Sequence, residues 1–251
     1  MNLNPSFQRL AILTGQDAAA ALLQTKAAVF GLGGVGSWCA EALVRSGVGN
    51  IVLVDFDTVE ISNINRQAEA TAKTIGRQKT EALAARLREI NPDCAVVTIP
   101  EYFSCKDNNM EKAAEHYQIT GADYIIDAID TIESKLDLIE CAACSGITLF
   151  SSMGMARKMD PTRLKTADIW KTSGCPLARS VREGLRKRGF NSNFTVVYSD
   201  EKPFVQYENY ADKNPVSGKK SLGSAVTVTA SAGMILASLV IRDVCRKCNN
   251  G

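Results

Sequence analysis

The clearest fold signal in the sequence is the stretch KAAVFGLGGVGSWCAEALVRSGVGNIVLVDFD, residues 26–57. It opens with an apolar run, continues through a glycine-rich turn and a helix with an alanine and valine face, and ends with an apolar strand followed by two acids. Gly31, Gly33 and Gly36 have the spacing G-x-G-x-x-G directly after a strand, which permits a tight turn and a close approach of backbone N–H groups to a phosphate. The stretch therefore predicts a βαβ unit that binds a nucleotide at the start of its helix.

The acid after the second strand supports a nucleotide ligand. Asp55 lies about 20 residues beyond the last glycine of the turn, where a carboxylate can accept a ribose hydroxyl. A lone glycine turn is also common as a plain structural turn, but here the strand, the helix and the acid follow in the expected order. We therefore favour a nucleotide site.

The composition is that of an ordinary globular protein. The 251 residues are 45% hydrophobic, and a formal net charge of +2 does not by itself indicate a nucleic-acid partner. Eight cysteines are too few for a disulfide scaffold and no signal-peptide pattern opens the chain, so we expect a cytoplasmic protein with reduced thiols. The uncharged run at 222–241 is diluted by Ser, Thr and Gly, which favours a buried packing helix over a membrane anchor.

Strands alternate with helices through most of the chain, which predicts an α/β fold with a Rossmann-like, doubly wound and mainly parallel sheet. After the opening unit, strands are predicted at 95–99, 123–127 and 147–151, and helices at 77–90 and 132–144. Right-handed crossovers then place Gly31, Asp55 and Asp130 along one edge of the sheet, where ligands bind in such folds.

We expect one domain with three parts: a helical arm at 1–25, a nucleotide-binding half at 26–154, and a substrate and dimer half at 155–251. The rhythm changes in the last part, which predicts antiparallel strands and helices that extend the same sheet. The predicted elements there are strands at 162–170 and 194–199, a helix at 176–188, a polar irregular segment at 207–220 and a long apolar helix from 224 onward.

A loop at 57–76 lacks any helical or strand period, and long loops in compact domains often carry function. Arg66 in this loop and Lys79 just beyond it suit phosphates as a fork and a point charge, and Asp130 suits Mg²⁺. Taken singly, Arg66 and Lys79 are better explained as solvated charges. Together with the turn and Asp130 they favour ATP and Mg²⁺ over the dinucleotide of a nicotinamide oxidoreductase.

The order of these motifs resembles one known superfamily. GLGGVGS, VDFDTVEISNINRQ, Lys79 and DAIDT together resemble the E1-like adenylating enzymes, which include sulfur-carrier adenylyltransferases and ubiquitin-activating enzymes. The resemblance covers roughly the first 150 residues of the chain. It implies the E1-like fold and attack of a substrate carboxylate on the α-phosphate of ATP.

The resemblance also implies roles for individual residues. Asp55 would hold the ribose with Asp57 beside it, and Asp130 would bind Mg²⁺. Arg9, in the helical arm, would reach the nucleotide of the partner in a homodimer. The implied catalytic residues are Arg9, Arg66, Lys79 and Asp130, and the implied nucleotide-binding residues are Gly31, Gly33, Gly34, Gly36, Asp55, Asp57, Asn63, Arg66 and Lys79.

The cysteines do not form a clear zinc motif. Tetrahedral zinc needs four ligands, as in two C-x-x-C pairs. Cys245 and Cys248 form one pair, but Thr172 stands where a partner for Cys175 is expected. A further C-x-x-C at 141–144 falls on a predicted helix, where free cysteines are usually packing residues. We therefore expect no zinc, and a catalytic role for Cys175 is not evident.

Two segments of the second half resemble a tRNA-acting branch of the superfamily. KTSGCPLARSVREGLRKRGF at 171–190 and VVYSDEKP at 196–203 are similar to segments of threonylcarbamoyladenosine dehydratases, except that Cys175 stands where that branch often has Asp. A stripe of five cations within ten residues suits nucleic-acid phosphates, although without the resemblance a solvated helix face is the favoured explanation. These residues are Arg179, Arg182, Arg186, Lys187 and Arg188.

The sequence therefore favours an ATP-dependent dehydratase that adenylates threonylcarbamoyladenosine in tRNA. One alternative is adenylation of the C-terminal glycine of a ubiquitin-like sulfur-carrier protein, which would then be the partner. Another is a nucleotide-binding scaffold without turnover.

Overall fold

The computed structural model describes residues 4–105, 109–205 and 222–249. The irregular segment predicted at 207–220 lies outside these residues. Strands and helices alternate along the described chain: α1 Gln8–Thr14, α2 Gln16–Gln24, β1 Lys26–Phe30, α3 Gly36–Arg45, β2 Asn50–Val54, α4 Lys79–Ile90, β3 Ala95–Ile99, α5 Met110–His116, β4 Tyr124–Asp127, α6 Ile132–Cys144, β5 Thr148–Ser152, β6 Leu164–Asp168, α7 Pro176–Lys187, β7 Thr195–Ser199 and α8 Val226–Asn249.

The strands form one sheet in the order β3-β2-β1-β4-β5-β7-β6. Every neighbouring pair is parallel except β6 and β7, which are antiparallel. The predicted fold class, a doubly wound and mainly parallel sheet, is confirmed. Of the two strands expected to extend it in antiparallel fashion, β6 is antiparallel to β7, whereas β7 is parallel to β5. The chain order reverses between β1 and β4, and ligands bind at the carboxyl edge of such a reversal.

Helices cover both faces of the sheet, and β1 shows why. Ala27 and Val29 point into a cluster shared with α2, α3, α4 and α8, whereas Ala28 and Phe30 point into a cluster shared with α5, α6 and α7. Successive side chains of a strand face opposite ways, so a strand that is apolar throughout must be buried on both faces. This burial on both faces explains why residues 27–30 of β1 are all apolar instead of alternating with polar residues.

The C-terminal helix α8 is long and apolar enough to cross a membrane by length and composition, and 44% of its most apolar window is buried inside the protein. Val228, Ala232 and Leu236 belong to the core. A Cβ at Gly233 would lie 2.5 Å from the carbonyl oxygen of Val35, so the helix packs tightly against α3. This contact supports the interpretation as a packing helix.

One predicted strand is shorter than expected. The sequence predicts a strand at 162–170, but β6 covers only Leu164–Asp168. Asp160 accepts a hydrogen bond from the backbone N–H of Thr162, and Asp168 accepts one from that of Trp170. These aspartates close a short 3₁₀ turn at each end of the strand, because an aspartate side chain readily pairs with the backbone two residues on.

Candidate functional site

The glycine turn lies at the carboxyl end of β1, with Gly31 and Gly36 crowded and Gly33 open. Gly31 has φ +83°, and a Cβ there would lie 2.7 Å from the carbonyl oxygen of Ala128. A Cβ at Gly36 would lie 1.8 Å from the carbonyl oxygen of Gly31, whereas a Cβ at Gly33 would meet nothing within 4 Å. The turn therefore packs closely on the loop after β4 and leaves open space beside Gly33, at the N-terminus of α3, where a phosphate can bind.

Gly34 faces the opposite side of the turn. A Cβ there would lie 3.0 Å from Oγ1 of Thr229 on α8 and 3.2 Å from Cγ of Arg66. Asn65 also donates a hydrogen bond to the backbone oxygen of Ser224, just before α8. The C-terminal helix thus supports both the turn and the loop that carries Arg66, a contact with no signal in the sequence.

Asp55 links the second strand to the glycine turn. It is 8% exposed, and its two carboxylate oxygens accept hydrogen bonds from the backbone N–H groups of Leu32 (2.6 Å) and Asp57 (2.8 Å). Burial raises the pKa of Asp55, although Lys79 opposes the shift. Each oxygen keeps a further lone pair, so a contact to the ribose is compatible with this geometry.

Lys79 is the first residue of α4 and is 6% exposed. Its Nζ donates to a carboxylate oxygen of Asp57 at 2.8 Å. Burial disfavours the charged amine, but Asp55 and Asp57 outweigh burial and the pKa of Lys79 is raised. The site therefore holds a fully charged lysine beside the carboxyl end of β2.

Arg66 and Asn63 are both engaged within their loop. Nη1 of Arg66 donates to the backbone oxygen of Ser62 at 2.7 Å and to the side chain of Asn65 at 2.9 Å. Burial lowers the pKa of Arg66. Asn63 is 6% exposed and accepts from the backbone N–H of Glu60, which closes a short 3₁₀ turn. In this arrangement Asn63 shapes the loop that presents Arg66.

Asp130 lies in the loop between β4 and α6 with an exposed carboxylate. Its one side-chain partner among the described residues is the hydroxyl of Thr131 at 3.5 Å. The described residues contain no group of three or more His, Cys, Asp or Glu suited to a metal. An open carboxylate without protein co-ligands fits Mg²⁺, which completes its shell with phosphate oxygens and water.

Arg9 is exposed on α1. Its neighbours Ile12 and Leu13 are 79% and 81% exposed. The helix packs on α2 and buries none of its own residues. The predicted role of Arg9 in a partner's site is not tested by one chain and stays a prediction.

Sequence reasoning missed Glu69, which is 2% exposed next to the site. Neither of its carboxylate oxygens has a hydrogen-bond partner among the described residues. Burial raises the pKa of Glu69 to about 8, although the charge of Lys79 opposes the shift. An acid in a run of alanines and threonines carries no pattern that would have identified it.

Most of the cysteines are buried or partly buried, whereas Cys144 is exposed. Cys175 is buried at the start of α7, Cys141 is buried on α6, and Cys245 and Cys248 are partly buried on α8. Burial raises the pKa of Cys141 to about 11, which makes it an unreactive thiol at neutral pH.

The basic stripe of α7 is largely paired within the protein. Arg188 donates to Asp137 and Glu140 of α6 at 2.7 and 2.8 Å, and also to Glu133. Partial burial opposes its charge, but these carboxylates outweigh burial and raise the pKa of Arg188. Of the other predicted cations, Arg179 pairs with Glu183, Arg182 donates to the hydroxyl of Thr172, Arg186 lies over the ring of Trp170, and Lys187 is exposed.

The segment VVYSDEKP at 196–203 connects the end of β7 to the loop after β5. The carboxylate of Glu201 accepts from the backbone N–H groups of Met159 (3.0 Å) and Asp160 (3.1 Å). The buried amine of Lys158 donates to the backbone oxygen of Glu201. The serine and the glutamate of this segment thus fasten the loop after β5 to the end of β7, since Ser199 also accepts from the N–H of Glu201.

Comparison with known proteins gives a consistent result over nearly the whole chain. Residues 7–250 match the model of the ThiF family. The tRNA threonylcarbamoyladenosine dehydratase of Bacillus subtilis is 40% identical, with 95% of this chain and 94% of that protein covered. The protein of the same name from Haemophilus influenzae is 35% identical, with 98% and 95% covered.

Solved structures give the same result. The Escherichia coli tRNA N6-threonylcarbamoyladenosine dehydratase in complex with ATP matches with a TM-score of 0.87 and 31% identity, covering 100% of this chain and 99% of that one. The structure of that enzyme with AMP matches with a TM-score of 0.88 and 30% identity over the full length of both chains.

Proposed function

The chain belongs to the ThiF family, and we propose that it is an ATP-dependent dehydratase that acts on N6-threonylcarbamoyladenosine in tRNA. The observation that carries this proposal is the match to dehydratases of that name, 34–40% identical over at least 94% of each full-length bacterial relative. The glycine turn, with open space at Gly33 and with Asp55, Lys79 and Asp130 around it, supplies a site of the chemistry that adenylation needs.

The reaction is balanced without a protein nucleophile. A carboxylate oxygen of the modified nucleoside attacks the α-phosphorus of ATP, and pyrophosphate leaves. The neighbouring carbamoyl group then attacks the acyl carbon and closes a ring. AMP leaves with the original carboxylate oxygen and the carbamoyl group loses a proton, so the nucleoside has lost the elements of water.

The chain's own residues bind and neutralise charge. Carboxylate and triphosphate are both anions, so the rate depends on their positioning and on nearby cations. Lys79 supplies a buried point charge and Arg66 a guanidinium fork, while backbone N–H groups of the glycine turn and α3 face the phosphates. Asp55 fixes the turn through Leu32 and offers its remaining lone pairs to the ribose.

We propose that Asp130 holds Mg²⁺ together with phosphate oxygens of ATP. Bound Mg²⁺ neutralises charge that develops on the phosphates. The role of Asp130 is to present an open carboxylate beyond the carboxyl end of β4, on the same loop that touches Gly31 through Ala128.

We propose that tRNA phosphates contact α7 through Arg179, Arg182, Arg186 and Lys187. Arg188 is held by three carboxylates of α6, so its role in this proposal is to orient α7 rather than to bind phosphate. We also propose that the chain acts as a cytoplasmic homodimer in which Arg9 of one subunit serves the other's site, supported by the exposed apolar residues beside Arg9.

A pyrophosphate-exchange assay separates the proposed substrate from the alternative. Exchange of labelled pyrophosphate into ATP should require tRNA that carries threonylcarbamoyladenosine. Exchange that instead requires a ubiquitin-like sulfur-carrier protein would support that alternative partner. ATP binding without exchange in either case would point to a scaffold without turnover.

A further inference from the structure

A buried ion pair lies under the candidate metal ligand. Lys135 on α6 and Asp127 at the end of β4 are both 0% exposed, and Nζ of Lys135 lies 2.7 Å from Oδ2 of Asp127. The hydroxyl of Ser151 on β5, also 0% exposed, donates to the same oxygen at 2.6 Å and lies 3.4 Å from Nζ of Lys135. The three groups satisfy one another in a site without solvent.

Stability alone gives no reason to keep this pair. Two charges lose their hydration when they are buried, and apolar residues of similar volume often stabilise a fold equally well or better. A buried and fully paired set of polar groups can instead fix one local conformation. In this protein, the conformation that depends on Asp127 is that of the β4–α6 loop.

Asp127 controls the loop that carries Asp130. Its second oxygen, Oδ1, accepts a hydrogen bond from the backbone N–H of Ile129 at 3.1 Å, which closes the start of the β4–α6 loop. The N–H of Ala128 donates to the backbone oxygen of Phe30 at 2.8 Å. The carbonyl oxygen of Ala128 lies 2.7 Å from the Cβ position of Gly31, so the loop is wedged against the glycine turn.

We propose that Lys135 and Ser151 are positioning residues that act through Asp127: they hold its carboxylate so that the β4–α6 loop presents Asp130 to Mg²⁺ and ATP. This inference rests on the proposed function of Asp130. Lys135 and Ser151 are fully buried, so neither side chain is accessible to nucleotide or metal. They act on the position of the Asp130 carboxylate, which lies three residues beyond Asp127 in the chain.

Binding measurements without tRNA test this inference. ATP affinity is measured by calorimetry on the purified chain, first without divalent metal and then across a Mg²⁺ titration. For Lys135→Met we expect a rise of about tenfold or more in the Mg²⁺ concentration that produces half of the change in ATP affinity. Such a rise is common when a residue that orients a metal ligand is lost. ATP affinity without metal should change by less than about twofold, a difference too small to count as a lost contact.

Two further variants separate positioning from folding. Ser151→Ala removes one hydroxyl and leaves the ion pair, and it should shift the Mg²⁺ dependence in the same direction by a smaller factor. Leu138→Ala creates a cavity in the buried face of α6 without touching Asp127, so it should lower the melting temperature and leave the Mg²⁺ dependence unchanged. If Lys135→Met does not fold, Ser151→Ala decides the question.

A double variant identifies the residue through which Lys135 acts. In an Asp130→Asn background, Lys135→Met should cause no further change in the Mg²⁺ dependence, since the ligand is already lost. Equal Mg²⁺ dependence in the unaltered chain, Lys135→Met and Ser151→Ala would overturn the inference. Because tRNA takes no part in these measurements, their result can be interpreted even if the tRNA assignment is wrong.

Discussion

The side-chain amine of Lys79 lies 2.8 Å from a carboxylate oxygen of Asp57, and 22 residues separate the two in the chain. The lysine is 6% exposed, whereas the aspartate side chain is 46% exposed. The pair therefore places a buried positive charge at the surface of the nucleotide site, with its counterion on the solvent side. A phosphate that binds here gains a cation whose desolvation is already complete.

Replacement of Lys79 should strongly reduce ATP turnover. We expect Lys79→Ala to lower kcat/KM for ATP by about 100-fold or more, because loss of one preorganised charge partner in a buried site typically has this size of effect. Lys73→Ala removes an exposed lysine of the loop that precedes α4 and should leave kcat/KM within about twofold, as is usual for a solvated charge. Steady-state kinetics on both variants check this, and equal effects would contradict the role of Lys79.

Glu69 should make stability fall as pH rises. Its pKa is about 8 in the folded chain against a usual 4.5, so between these values the unfolded chain gives up a proton that the folded chain keeps. The free energy of unfolding should decrease across that window, by at most about 5 kcal/mol, and level off above it.

The variant Glu69→Gln should remove most of this slope, because glutamine does not titrate and has the shape of the neutral, protonated acid that the folded chain contains. Glu89→Gln, an exposed acid on α4, should leave the slope in place. Urea unfolding between pH 5 and pH 9 measures both. A Glu69→Gln chain with the original slope would contradict the assignment of the shift to this residue.

Arg186 and Arg188 should behave differently although they are two residues apart. Arg188→Ala leaves three carboxylates of α6 without their shared cation and should lower the free energy of unfolding by about 1–3 kcal/mol. Arg186→Ala should change stability little. It should weaken tRNA binding and reduce the salt slope of that binding by about one unit.

Filter binding over a range of salt concentrations and thermal unfolding measure this pair of effects. A weaker salt slope in Arg188→Ala, with unchanged stability, would contradict the internal role of that residue.

Mixed subunits should reveal a shared site. We expect Arg9→Ala and Asp130→Ala chains to be inactive alone, because each lacks a residue of the proposed site. If Arg9 serves the partner's site, a mixed dimer has one site that contains both residues, so about a quarter of the activity per site should return on mixing, as expected for random exchange in a two-fold dimer. Activity that stays at the level of the single variants would place Arg9 outside the partner's site.

The sequence was sufficient for most of the architecture. β3 at Ala95–Ile99 and α6 at Ile132–Cys144 have the predicted bounds, because an apolar period ends at a clear stop in each case, Pro100 for the strand and Gly146 for the helix. The Rossmann-like order and the location of Asp55 and Asp130 at strand ends followed from the same patterns. The predicted length of β6 was wrong because two aspartates close 3₁₀ turns whose sequence resembles that of a strand.

The site was less predictable wherever long-range pairing decides the role of a residue. Arg188 is a basic residue on a basic helix in the sequence, but its partners lie 48 to 55 residues away on α6. Glu69 and the Lys135–Asp127 pair are likewise defined by burial and by contacts between separate elements. A pattern that repeats every few residues carries no information about such contacts.

The proposed reaction of this chain is dehydration of threonylcarbamoyladenosine in tRNA, driven by ATP. The most direct measurement incubates the purified protein with ATP, Mg²⁺ and tRNA that carries this nucleoside, followed by mass spectrometry of the digested nucleosides. We expect a nucleoside lighter by one water, formed only when ATP is present and accompanied by AMP. A nucleoside of unchanged mass, from protein that binds ATP, would contradict the proposed reaction.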